Sequence, residues 1–233
     1  MSPAYGYHPG MIRAQDFDRL YIHSGGRRGT DAWPHATDSA AEFLSFPADT
    51  AVRDQVKALV DRDRDRSILI FAHSIGAVSA VLAADRLNIA GLVLVEPALY
   101  DLARGDAAIE RHIAIVTEAR DLASGGELRG FWAILRPLMF GGHFDPTHWD
   151  DERALAERWA STNVPWGHGV RERTLRGIPT LAVTGGWNAE YEAIAQVLVA
   201  TGARHVVLPG AQHRPQDLES FPAVVERFER SLS

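Results

Sequence analysis

Six short, mostly apolar runs lie at positions 20–23, 42–46, 67–72, 91–95, 180–183 and 205–208, and stretches of helical period separate most of them. Such alternation is the pattern of parallel strands joined by crossover helices, where a strand covered on both faces is apolar throughout. It predicts an α/β protein with a mostly parallel central sheet flanked by helices. Helices are expected at about 50–62, 75–87, 189–200 and 216–231. In the last of these, Leu218, Phe221, Val224, Val225 and Phe228 fall close to one face, as suits a closing helix packed on the sheet.

Between 99 and 177 the strand signal disappears, and this stretch holds Trp132, Trp149, Trp159 and Trp166, four of the six tryptophans. It reads as a helical insertion, a cap over the strand ends, with 1–98 and 178–233 as the core. Trp132 and Trp166, and Trp187 beyond the insertion, are expected to line an apolar substrate pocket. For any single tryptophan, packing the insertion onto the core explains its presence equally well.

The formal charge of −6 argues against broad contact with nucleic acid or an anionic membrane, since both require a basic surface. No cysteine occurs, which removes a disulfide framework, a thiolate metal site and a cysteine nucleophile. The first twenty residues lack the basic stretch and apolar core of a signal peptide, and no apolar run reaches the ~18 residues of a membrane helix. A soluble cytoplasmic protein is expected, with a small-molecule partner and an oligomeric state that extends to a homodimer. The alternating charges from Asp61 to Arg66 suit a solvated connection.

Chemistry concentrates at the ends of the predicted strands. Ala72-His73-Ser74-Ile75-Gly76 differs from G-x-S-x-G only in its first position. That motif sets a serine on a tight strand-to-helix turn with its Oγ exposed and the next N–H, here of Ile75, aimed at the same space. A serine at the head of a helix also serves as a cap, and for Ser74 taken alone that reading stands. Downstream, Pro209-Gly210-Ala211-Gln212-His213-Arg214-Pro215 puts a histidine in a loop after the last strand, at the sheet edge where α/β sites assemble. Upstream, Leu20-Tyr21-Ile22-His23-Ser24-Gly25-Gly26 runs a strand into a glycine loop, and Gly25 is the expected second oxyanion donor beside Ile75.

These segments, with VEPAL, IPTLAVTGGWN and LPGAQHRPQ, resemble the α/β-hydrolase superfamily from about Leu20 to the C-terminus. The resemblance implies a Ser–His–acid triad, with Ser74 attacking an acyl carbon and His213 as general base and then acid. It also implies a lid over the site and no cofactor or metal. Two departures stand out: the family's first two strands are missing or much reduced, and Asn188 stands where an aspartate is usual.

Asn cannot carry the charge that stabilises an imidazolium, so the acid must be sought elsewhere. Glu190 and Glu192 follow Asn188, which looks like a helix N-cap, so both fall in a first turn where acidic residues suit the helix dipole. Glu96 ends the strand at 91–95 and should emerge at the same edge as Ser74. Zearalenone-lactone hydrolases resemble this arrangement in taking their acid after that strand. Pairing with an arginine or capping a turn is the competing role for Glu96.

The expected activity is cleavage of a carboxylic ester or lactone of a small, apolar substrate through an acyl-enzyme. C–C bond hydrolysis and cofactor-free perhydrolysis would use the same residues, and a non-catalytic ligand-binding or interaction protein of the same fold is the alternative class. His143, Asp145 and His148 suggest a polar turn rather than a metal site, and His73 is expected to pack behind Ser74.

Overall fold

The structure, a computed structural model, describes residues 17–23, 26–62 and 65–232. Six strands form one sheet: β1 (Phe17–His23), β2 (Glu42–Ser45), β3 (Ser67–His73), β4 (Ile89–Val95), β5 (Thr180–Thr184) and β6 (Arg204–Val207). All neighbours pair in parallel, in the order β2-β1-β3-β4-β5-β6. Every predicted strand is present. Residues 1–16, in which any reduced first strands would fall, lie outside the described residues.

The alternation of side chains along each strand divides the core into two layers. Leu20, Ile22, Ile70, Ala72, Leu92, Leu94 and Ala182 face one side, where α2 (Val52–Val60), α3 (Gly76–Ala83) and α7 (Ala189–Ala200) cover them. Tyr21, Leu69, Phe71, Val93, Val95, Leu181 and Val183 face the other, against Trp33 and the Phe221, Val225 and Phe228 stripe of α8 (Phe221–Glu229). Each fully buried Leu, Ile or Phe contributes roughly 1.5–3 kcal/mol of transfer free energy, so the apolar runs commit the chain to a sheet sandwiched between helices.

The expected helix at 216–231 begins later, at Phe221. Pro215 opens a separate 3-10 turn, Leu218 is extended, and Pro222 sits in the first turn of α8, where its missing N–H costs nothing. A short helix not foreseen in the sequence, α1 (Gly29–Ala32), follows β1 and buries Ala32.

Between β4 and β5 the chain is helical, as expected. It forms α4 (Ala107–Ser124), α5 (Leu128–Phe140) and α6 (Trp149–Ser161). Asp106 caps α4 by accepting the N–H groups of Ala108 and Ile109. These helices have their own small core of Val116, Ala119, Phe131, Trp132, Leu135 and Ala156. No helix among the described residues is long and apolar enough to cross a membrane.

Strand order reverses between β1 and β3, so the loops leaving their C-terminal ends diverge and open a crevice. The registers Ile22↔Ala72, His73↔Val95, Val95↔Val183 and Thr184↔Val207 bring the C-terminal ends of five strands to one edge.

Candidate active site

Three non-glycine residues have positive φ among the described residues, and all three lie at this edge: Ser74 (φ 55), Glu96 (φ 43) and Gln212 (φ 47), the residue before His213. Left-handed backbone is costly for residues with a Cβ and persists where surrounding structure over-determines it. At Ser74 the restraints are visible. Its N–H donates to the Val95 carbonyl (3.0 Å), and its own carbonyl accepts from Ala77 and Ala98 (3.1 Å each). Gly76 opens α3 directly over β1, where a Cβ would lie 3.2 Å from Ile22 Cγ2 and 3.5 Å from its carbonyl oxygen. Ala72 is fully buried beneath the turn.

Glu96 follows β4 at once. Its N–H donates to the Val183 carbonyl (2.8 Å), and its side chain is fully buried. The carboxylate accepts the Gly185 N–H (2.5 Å) and the Trp187 indole N–H (3.2 Å). Oε2 also lies 3.5 Å from His213 Nδ1, a nitrogen that is buried and has no hydrogen-bond partner within normal range among the described residues. No arginine pairs with Glu96 among the described residues.

The His213 loop is held from behind by His73. The buried His73 ring donates from Nε2 to the His213 carbonyl (2.8 Å), and the two rings lie 4.7 Å apart. Burial, followed by the positive charge His213 can carry, drives the His73 pKa well below its ordinary 6.5, so it is a neutral donor. The ring of Tyr191 packs 5.2 Å from that of His213, and its hydroxyl is a hydrogen-bonding neighbour of Ser74. Burial raises the Tyr191 pKa, with Glu96 and Glu190 adding to the rise, so the phenol stays protonated.

Asn188 caps α7, its side-chain oxygen accepting the N–H groups of Glu190 (2.8 Å) and Tyr191 (3.3 Å). Glu190 faces His112 Nδ1 (3.2 Å) and the Tyr100 hydroxyl (3.3 Å), and Glu192 lies 3.8 Å from His205. Burial alone would raise the Glu190 pKa, but the hydrogen bond and charge of His112, with Asn188 and Tyr100, bring it below its ordinary value.

A cavity of about 730 Å³ lies between this edge and the helices above. Ser74, Ile75, Tyr191 and His213 line it from the sheet side, and Val116 and Trp166 are among the side chains that line it from above. Of the tryptophans expected around a substrate, only Trp166 meets the cavity. Trp132 is instead buried in the helical layer, because its indole N–H is bound to Glu152 (2.6 Å) and its ring packs in that core. Trp187 is 47% exposed and turns its N–H to Glu96. Gly25 lies outside the described residues. Ile75 is the N-cap of α3, where helix geometry leaves the first N–H groups without intrahelical acceptors.

His143, Asp145 and His148 form an exposed turn in which Asp145 accepts from Thr147. Among the described residues no group of three or more possible metal ligands assembles. Tyr191 and the His112–Glu190–Tyr100 cluster were not foreseen from the sequence. The signal for the former was its place one turn after the Asn188 cap, on the side of α7 that meets the sheet edge.

The family described as alpha/beta hydrolase matches residues 8–228. Among solved structures, MenH from S. aureus superposes with a TM-score of 0.63 at 14% identity, covering 95% of this chain and 96% of that one. A carboxylesterase structure from the ammonia-oxidizing thaumarchaeon Nitrososphaera gargenis gives 0.58 at 14% identity, over 94% and 91%. Human thioesterase 2 gives 0.55 at 15% identity, over 92% and 97%. No curated protein matches the sequence.

Proposed function

The chain belongs to the alpha/beta hydrolase family, and we propose that it is a serine hydrolase cleaving a carboxylic ester or lactone through an acyl-enzyme. The observation that carries this reading is the convergence of Ser74, His213 and Glu96 at one sheet edge, each on or beside a residue held in left-handed backbone. Residues 99–177 act as the lid over a site built on 1–98 and 178–233, in keeping with the cavity enclosed between them.

Ser74 Oγ attacks the acyl carbon while His213 Nε2 takes its proton. The carbonyl π electrons move to oxygen, which is held by the N–H of Ile75 and, on the sequence reading, that of Gly25. Glu96 faces Nδ1 and stabilises the imidazolium, which then protonates the leaving oxygen as the tetrahedral intermediate collapses. Water, deprotonated by His213, repeats the sequence and releases the acid and free Ser74.

The burial of Glu96 supports its role as the acid. A carboxylate removed from water needs compensation, and here it has two N–H donors and an imidazole. Thioesters meet the same machinery and differ only in the leaving atom. The test is labelling with a fluorophosphonate probe followed by p-nitrophenyl ester turnover. Covalent labelling that vanishes in Ser74→Ala is expected; a folded native protein that neither labels nor turns over an ester would exclude the reading in favour of a non-catalytic ligand-binding protein.

A further inference from the structure

The protein carries a net charge of −6, yet its cavity is lined by five arginines and four histidines and, among the described residues, by no aspartate or glutamate. Two of those arginines, Arg27 and Arg214, share one carboxylate, that of Asp217. Arg28, Arg120 and Arg158 have no carboxylate partner among the described residues. In an acidic protein, three guanidinium groups without a carboxylate partner at the walls of one cavity present a local field opposite in sign to the overall charge.

Arg120 is the most constrained of the three. Its Nη groups donate to the carbonyls at the end of α6, those of Trp159 (3.5 Å), Ala160 (3.3 Å) and Thr162. These bonds fix the guanidinium in place, while Nε is buried and has no partner among the described residues. Burial holds the group below its usual pKa, and no carboxylate raises it again. Nη1 makes one of its two possible hydrogen bonds among the described residues, and Arg120 lines the cavity, so an anion there would meet a guanidinium with a donor to spare.

Helix α4 gives the distance. His112, Val116 and Arg120 recur every four residues and all line the cavity, so they form one face of the helix. His112 packs on Tyr100 and is held by Glu190, at the end of the cavity nearest Tyr191 and Ser74. Arg120 lies two turns farther, about 12 Å along the axis at 1.5 Å per residue. Val116 leaves an apolar stretch between the two polar positions.

We propose that the substrate is an anionic acyl ester, with the reacting carbonyl at Ser74, an apolar chain along α4, and a terminal carboxylate received by Arg120 and Arg158. The inference rests on the serine hydrolase reading, narrows it from carboxylic esters and lactones to ω-carboxyacyl esters, and replaces the wholly apolar substrate expected from the sequence. The guanidinium groups select the substrate and take no part in bond breaking.

The test compares p-nitrophenyl monoesters of adipic, suberic and sebacic acids with neutral p-nitrophenyl esters of matched chain length. Native protein is expected to favour the charged member of at least one pair by about tenfold or more in kcat/KM, a charge-assisted hydrogen bond being worth that much. The preference should weaken with added salt, fall towards unity in Arg120→Met, and survive in part in Arg120→Lys. A capping role alone for Arg120 would lower the melting temperature and leave the ratio where it was. If Arg120→Met does not fold, Arg158→Met, at an exposed position, reads the same ratio. Neutral esters hydrolysed as well as charged ones at every length would overturn the proposal while leaving the serine hydrolase reading intact. If no ester is cleaved and Ser74 does not label, that reading fails. Calorimetric titration with suberate then decides the anion site alone: binding lost in Arg120→Met supports it, and absence of binding overturns it.

Discussion

Glu96 Oε2 and His213 Nδ1 stand 3.5 Å apart, with the carboxylate fully buried and the imidazole partly open to the cavity. The two differ in freedom. Glu96 is pinned by the Gly185 and Trp187 N–H groups and by its own N–H on Val183. The His213 side chain has no hydrogen bond of its own among the described residues, so a small rotation of its ring closes the gap to a hydrogen bond. Catalytic hydrogen bonds in unliganded sites are often long and tighten when the substrate is bound.

Glu96→Gln keeps the size of the side chain and removes the charge facing the imidazole. It is expected to reduce kcat for p-nitrophenyl ester hydrolysis by about 10²–10⁴-fold, the range for loss of a triad carboxylate or its charge. Asn188→Ala, at the position where the family usually has its acid, should leave kcat unaltered and lower stability by about 1 kcal/mol through loss of the α7 cap. Turnover rates together with thermal melts of both variants separate the roles, and near-native turnover in Glu96→Gln would remove it from the triad.

Gly185 is where the acid and the histidine loop depend on the same atoms. Its N–H holds Glu96, and a Cβ built on it would lie 2.2 Å from the Gln212 carbonyl oxygen and 2.9 Å from the Trp187 ring. Backbone cannot yield as a flexible side chain does, so Gly185→Ala must push the His213 loop away from Glu96. The expected result is a folded protein, with circular dichroism like that of the native form, whose ester hydrolysis falls by about tenfold or more, as misplacement by an ångström commonly costs. Native activity in that variant would mean that the loop position does not matter.

Strand positions were legible because burial on both faces forces apolar runs, and Asn188 was legible as a cap because its chemistry is local. Ser74 and His213 could be placed at one edge from strand order alone. The tryptophans could not be sorted, because composition does not say which way a ring points. Trp132 turned inward to meet Glu152, twenty residues along the chain on another helix. The arginines of the cavity wall were hidden for the same reason: Arg28, Arg120 and Arg158 stand far apart in the sequence, and only folding gathers them around one cavity, whose lining holds no aspartate or glutamate among the described residues.

Acid stability should report on His73. Unfolded, its imidazole has the ordinary pKa of 6.5; folded, burial and the neighbouring His213 hold it well below that. Between those two values the unfolded chain binds a proton that the folded protein refuses, so stability is present above about pH 6.5 and is lost as the pH falls through the window beneath it. The slope contributed by one such group is at most about 1.4 kcal/mol per pH unit. His23 is shifted in the same direction, by burial first and then by Arg28 and Arg214, and adds to the loss. Denaturant unfolding from pH 7.5 to 5 should give a shallower dependence in His73→Gln than in the native protein. Identical slopes would show that His73 is protonated in the fold.

Tyr191 contributes in two separable ways. Its ring lies 5.2 Å from that of His213, and its protonated hydroxyl meets Ser74. With its pKa raised by burial, the phenol stays protonated at neutral pH and has a proton to donate to the Ser74 oxygen, an arrangement that leaves the Ser74 hydroxyl proton free to point at His213. Tyr191→Phe keeps the ring and loses the donor, and should lower kcat/KM by about tenfold, the worth of one hydrogen bond to a developing charge. Tyr191→Leu also removes the aromatic wall against the imidazole, and should lower kcat further while slowing fluorophosphonate labelling. Labelling rates measured beside steady-state turnover distinguish the two contributions: a hydroxyl effect appears in both variants, whereas a ring effect appears only in the second. Equal activity in Tyr191→Phe and the native protein would reduce Tyr191 to packing alone.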